Sequence, residues 1–157
     1  MLMSADIESR LKTLKLTLPP APKPAGSYQP VVVTGSLVFF SGQISRRPDG
    51  VLICGKVGRD LSMEEGREAA KMAILNALSA AREAIGLENI SRVVRLTGYV
   101  QAAEDFLAIS DVLNGASDLL LAVFGETGRH ARSAVGVASL PMNAAVEVEM
   151  TLEIRKP

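Results

Sequence analysis

The sequence predicts a two-layer α+β fold: a mixed sheet with two long helices on one face, in the order β-β-β-α-β-α-β-β. Three observations carry this. Residues 146–154 alternate without a break, with Val146, Val148, Met150, Leu152 and Ile154 on one parity and Glu147, Glu149, Thr151 and Glu153 on the other. That is the period of a strand with one buried face and one polar face. Two stretches, 62–85 and 106–124, instead carry apolar residues at three- and four-residue spacing, the mark of helices packed on a core. Short strand-like runs bounded by Gly, Pro and Asn surround both. Two helices cover one sheet face only, so the polar parity of 146–154 is wet or lines a shared interior.

Each element has its own signals. Residues 5–16 read as a short amphipathic helix, with Ile7, Leu11 and Leu14 one turn apart and Ser4 as its N-cap. Pro19, Pro20, Pro22 and Pro24 then force extended backbone. Residues 1–25 are thus a helix and a proline-rich tether, and residues 26–157 form the domain. A hairpin follows: 30–34, a Gly35-Ser36 turn, then 37–41. Gly42-Gln43 ends the second strand. Arg47-Pro48-Asp49-Gly50 is a turn, and residues 51–57 are expected to form the third strand.

Ser62 and Glu65 make a capping box at the start of the first long helix. Its stripe is Ala70, Ala73, Ile74, Ala77, Leu78, Ala81 and Ile85, and Gly86 closes it. So much alanine lets the helix lie close to the sheet. Residues 93–101 read as a strand. Phe106, Ile109, Leu113, Ala116, Leu120 and Val123 define the second helix, closed by Gly125 and Gly128. Residues 132–139 form the next strand, with Val135 and Val137 on one side and small Ala134, Gly136 and Ala138 on the other. Such a row lets a ligand or another chain approach the backbone.

At 157 residues, the chain is one domain with a sizeable core. The 48% hydrophobic and 22% charged residues are those of an ordinary soluble protein. Zero net charge gives no footprint for a phosphate backbone, so no nucleic acid partner is expected. No apolar run is long enough to span a bilayer, and the N-terminus lacks an apolar signal core. The expected location is cytoplasmic. One cysteine excludes an internal disulfide, and one histidine with one cysteine makes a His/Cys metal site unexpected. No GxGxxG or Walker pattern calls for a nucleotide cofactor.

The candidate chemistry lies in Arg132 and Glu147, read as the ends of adjoining strands. Arg132 either clamps a carboxylate by its planar fork or rests in solvent or against Glu147. Glu147 either activates a water or is one more acid on a polar strand face. Gln43, behind Ser41-Gly42, can offer an amide beside a close backbone approach. Tyr28 is either an aromatic lid or a packed anchor. Asn76 and Asn114 read as structural asparagines within apolar helices. His130, with no nucleophile elbow beside it, shapes the loop before Arg132. Cys54 reads as a core residue.

These residues resemble the RidA/YjgF family, the reactive intermediate deaminases, also described as L-PSP endoribonuclease-like proteins. The likeness runs from about Gly26 to the C-terminus. It is carried by Ala131-Arg132-Ser133-Ala134-Val135, Leu140-Pro141, Val146-Glu147-Val148-Glu149, Ser41-Gly42-Gln43 and Asn76. The longer N-terminus and the segments 55–58, 114–117 and 125–130 mark a divergent branch.

The resemblance implies a chorismate-mutase-like fold, a homotrimer whose open sheet faces enclose a central barrel, and clefts between subunits. It implies hydrolysis of 2-aminoacrylate or 2-iminopropanoate to a 2-keto acid and ammonia, with no metal and no organic cofactor. Arg132 would bind the substrate carboxylate and Glu147 would position the water. The backbone of Ala134 would meet the substrate nitrogen, where many members have cysteine. Tyr28 is displaced by one position from the family's tyrosine, with Ser27 in register. A trimer that binds small carboxylate metabolites without turnover is the alternative. RNA cleavage is opposed by zero net charge, few aromatics and a single histidine.

Overall fold

The computed structural model describes residues 4–155. The chain forms α1 (Ser4–Thr13), β1 (Val31–Thr34), β2 (Leu37–Phe40), β3 (Gln43–Ile44), α2 (Met63–Ile85), β4 (Ile90–Gln101), α3 (Ile109–Phe124), β5 (Ala131–Val137) and β6 (Val146–Ile154). The six strands make one sheet in the order β1-β2-β6-β4-β5, and β3 pairs with β6 past the end of β2. All pairings are antiparallel except β4 with β5. The expected element order and the mixed α+β sheet are both present.

β6 sits at the centre because its alternation is the strongest. Val146, Val148, Met150 and Leu152 are all at most 2% exposed, so one face of the sheet is sealed by the helices. Burying these side chains contributes roughly 1.5–3 kcal/mol each. α2 opens on the expected capping box. Ser62 Oγ accepts from Glu65 N at 3.1 Å, and Glu65 Oε2 accepts from Ser62 N at 2.7 Å. α2 is buried well beyond its stripe, since Met72, Leu75 and Ala80 on its outer side are covered too.

Part of that cover comes from the N-terminal segment. Ile7 and Leu11 of α1 are buried, and Arg82 of α2 pairs with Glu8 at 2.7 Å. Ser79 of α2 donates to the carbonyl of Pro19 at 2.5 Å, which ties the proline tether along the helix. α1 stops earlier than expected, at Thr13, because Lys15 turns left-handed at φ 54°. Leu14 is therefore 40% exposed. The Ser4 side chain, the expected N-cap, lies outside the described residues.

Four expectations need correction. Residues 51–57 form no strand, only isolated bridges from Leu52, Cys54 and Val57. Gly55 at φ 115° and Gly58 at φ 89° turn the backbone out of strand geometry, and β3 takes the third place instead. Cys54 is consequently exposed rather than core. The small residues of β5 face α3, not a ligand. An added Cβ on Gly98, which pairs with Ala134, would overlap Leu113 of α3, and Gly136 lies beneath Ile109. Phe106 precedes α3 and is not part of it.

Candidate functional site

β5 and β6 are not neighbours; β4 runs between them. This changes the geometry of the two residues on which the chemistry rests. Arg132 is in register with Leu96 and through it with Met150. Both are buried, so Arg132 leaves the sheet on the helix-bearing face. Glu147 is in register with Tyr99 and through it with Val135, on the open face. The two are also offset by two strand spacings and three residues, about 10 Å in each direction. A shared site within one chain and an ion pair between them are both excluded by this register.

Arg132 is held by α3. Its Nη2 donates to Ser110 Oγ at 2.6 Å and to the Ser110 carbonyl at 3.4 Å. Its Nη1 donates to Asn114 Oδ1 at 2.9 Å and Ser117 Oγ at 3.1 Å. All these acceptors are neutral, and among the described residues no carboxylate forms an ion pair with it. The guanidinium is therefore fixed in place without an ion pair, as an anion clamp needs. It lines an open recess of about 310 Å³ with Asn114, Ser117, Asp118, Arg129 and His130. Sequence reasoning missed this cradle and gave Asn114 a purely structural role. Its signal was present: Ser110, Asn114 and Ser117 stand at i, i+4 and i+7 on a largely apolar helix, and so share one face.

Glu147 occupies a second cleft of about 280 Å³, which Tyr28, Gln43, Gly42, Lys23 and Arg46 also line. Three of the five expected site residues, Tyr28, Gln43 and Glu147, therefore meet here, while Arg132 and Ala134 lie elsewhere. Gly42 allows the carboxylate a close approach: a Cβ there would overlap Glu147 Oε1 and stand 2.8 Å from its Cδ. Glu147 has no hydrogen-bond donor among the described residues. Burial first, and the negative Glu149 second, push its carboxyl above the ordinary carboxylate range. Such a group can hold or release a proton nearer neutrality.

Gln43 is 8% exposed. Tyr28 is 49% exposed, with its hydroxyl accepting from Ala25 N at 3.2 Å. Ala134 is half-buried under α3 on the edge strand β5. Asn76 is structural, as expected: its Nδ2 donates to the carbonyls of Ile44, Arg46 and Met72 at 2.7–3.3 Å, fixing β3 and the Glu147 cleft to α2. Among the described residues no group of three or more His, Cys, Asp or Glu could hold a metal ion, and no helix is long and apolar enough to cross a membrane.

Comparison with known proteins agrees with this architecture. A family profile described as YjgF/chorismate mutase-like matches residues 8–154. Protein TCP17 of Trypanosoma cruzi is 42% identical over 153 residues, 96% of each chain. A 2-iminobutanoate/2-iminopropanoate deaminase of Dermatophagoides farinae is 34% identical over 140 residues, 88% of this chain and 94% of that one. A crystal structure of an Agrobacterium tumefaciens protein superposes with a TM-score of 0.90 at 41% identity, covering 98% of this chain and 95% of that one. The chain thus belongs to the RidA/YjgF family and has its chorismate-mutase-like α+β fold.

Proposed function

We propose that the protein hydrolyses small 2-imino acids, of the 2-aminoacrylate/2-iminopropanoate type, to 2-keto acids and ammonia. The observation that carries this is the Arg132 guanidinium, held by neutral acceptors on α3 and without an ion pair. The named deaminase among the relatives supports the same chemistry. Because Arg132 and Glu147 leave opposite faces of the sheet, the proposed site forms between subunits of a homotrimer, with Arg132 from one chain and Glu147 from its neighbour.

In that site Arg132 pins the substrate carboxylate. Ionised Glu147 takes a proton from water as the oxygen adds to the iminium carbon, and the C=N electron pair moves to nitrogen. The product is a neutral carbinolamine. Protonated Glu147 then returns its proton to the amino nitrogen. Ammonia leaves as the ionised Glu147 takes the hydroxyl proton and the carbonyl forms. The raised proton affinity of Glu147 suits it to both steps. Imines hydrolyse unaided in water, so holding water and imine together supplies most of the acceleration.

The test follows the decay of enzymatically generated 2-aminoacrylate as it becomes pyruvate. Arg132→Ala and Glu147→Gln are expected to abolish the acceleration, and sedimentation to give a trimer. Wild-type rates in Arg132→Ala, or a monomer as the active species, would overturn the proposal. Tyr28, whose hydroxyl is turned to its own loop at Ala25, favours the second reading, a binding protein for small carboxylates. That reading requires thermal stabilisation by 2-keto acids with no faster imine loss.

A further inference from the structure

The sole histidine is joined to Arg132 through one serine. His130 Nδ1 lies 2.6 Å from the Gly128 carbonyl. A carbonyl only accepts, so Nδ1 carries the proton, and in the neutral ring Nε2 is an acceptor. Ser117 Oγ stands 2.9 Å from that Nε2 and 3.1 Å from Arg132 Nη1. A guanidinium only donates. The Ser117 proton must therefore point to His130, leaving its oxygen lone pair to Arg132. One ordered chain results: Arg132 to Ser117 to His130 to the Gly128 carbonyl. Hydrogen bonds in such a chain polarise one another.

We propose that His130 is a positioning residue for Arg132, acting by fixing the direction of the Ser117 hydroxyl. Without the Nε2 acceptor the hydroxyl rotor is free, and its proton can turn towards the guanidinium and oppose it. The other contact of the histidine, to Gly128, shapes the loop before β5 and does not by itself orient Ser117. This inference rests on the reading of Arg132 as the carboxylate clamp.

Two substitutions separate the two contacts. His130→Asn retains a donor near the Nδ1 position, and so the Gly128 bond, but cannot reach Ser117. His130→Gln places an amide oxygen near the Nε2 position and restores the acceptor. With pyruvate as the probe, titrated calorimetrically into the assembled full-length protein, His130→Asn and Ser117→Ala should each weaken Kd about tenfold. His130→Gln should stay within about twofold of wild type, and Ser117→Ala/His130→Asn should be no weaker than Ser117→Ala alone. In imine hydrolysis His130→Asn and Ser117→Ala should raise KM and leave kcat unchanged, because the carboxylate is held equally in ground and transition states. Wild-type affinity in Ser117→Ala, additive losses in the double variant, or His130→Gln as weak as His130→Asn would each overturn the inference. Arg132→Ala is the control that separates the two failures. If it binds pyruvate like wild type, the proposed function falls; if it alone loses affinity, only the role of His130 falls.

Discussion

Gly42→Ala isolates the carboxylate of Glu147 without touching it chemically. The φ of Gly42 lies outside the left-handed region, so alanine fits the backbone and the cost is steric. The added methyl would overlap Glu147 Oε1, with Cδ at 2.8 Å and Cγ at 3.1 Å, so the whole carboxylate has to swing aside. It is the end of a flexible side chain, and the cost is that of an off-rotamer torsion, about 0.5–1.5 kcal/mol. At this chain length that lowers Tm by about 1–6 °C. The loss of activity is far larger than that stability loss implies, because the base no longer faces the water; about a hundredfold in kcat/KM is expected. The assay is 2-aminoacrylate decay with wild type, Gly42→Ala, Glu147→Gln and the double variant, with calorimetry on each. The double variant should be no slower than Glu147→Gln, since both changes remove one function. A folded Gly42→Ala protein with wild-type kcat/KM refutes the assignment of Glu147, and additive losses show that Gly42 acts elsewhere.

Glu149→Gln removes the negative charge that helps raise Glu147, so the acid limb of kcat/KM should move to lower pH; an unmoved limb contradicts this origin. In stability the sign is opposite to that of a salt-bridged acid. The folded Glu147 carboxyl binds its proton more tightly than the unfolded one, so ionisation costs stability above the folded pKa, and the cost vanishes as pH falls below the unfolded value. Glu147→Gln should therefore raise Tm at pH 8, with the gain closing by about pH 4; a gain that persists there points to packing instead. Asn76→Ala removes the donor shared by three buried or part-buried carbonyls and should cost about 2 kcal/mol, or about 4–8 °C in Tm. A drop of under about 1 °C means water replaces the amide.

The sequence made legible whatever depends on a local period. The β6 alternation, the Ser62/Glu65 cap, the two-residue hairpin turn at Gly35-Ser36 and the first long helix stand as read, and the second stands from Ile109 onward. Residues 51–57 did not, because apolar composition there reports burial of Ile53 and Val57, while strand geometry depends on backbone angles at Gly55 and Gly58. The adjacency of β5 and β6 also failed. Short connection favours a hairpin, yet β5 follows α3 and takes the parallel place beside β4, which leaves β6 to pair on β4's other edge. The Arg132 cradle was hidden for a related reason: Ser110, Asn114 and Ser117 become neighbours of Arg132 only when α3 lies over β5.

That topology gives the open face its character. Val32 and Phe39 are 52% and 43% exposed, and Val135 is 42% exposed. They flank the sheet on β1, β2 and β5, while Glu147, Glu149 and Thr151 run down its centre. A face that is apolar at its flanks and acidic along its middle suits neither full burial nor full solvation. Covering the flanks removes apolar area from water, whereas burying the row of carboxylates would bring like charges together in a lower dielectric. In the proposed trimer, contact along the flanks with a wet centre satisfies both demands. In that trimer a neighbour would strip water from the Glu147 cleft, which raises the proton affinity of the carboxyl, while its arginine would lower it. Assembly on this account does two things at once: it supplies the missing arginine, and it tunes the glutamate that the arginine meets.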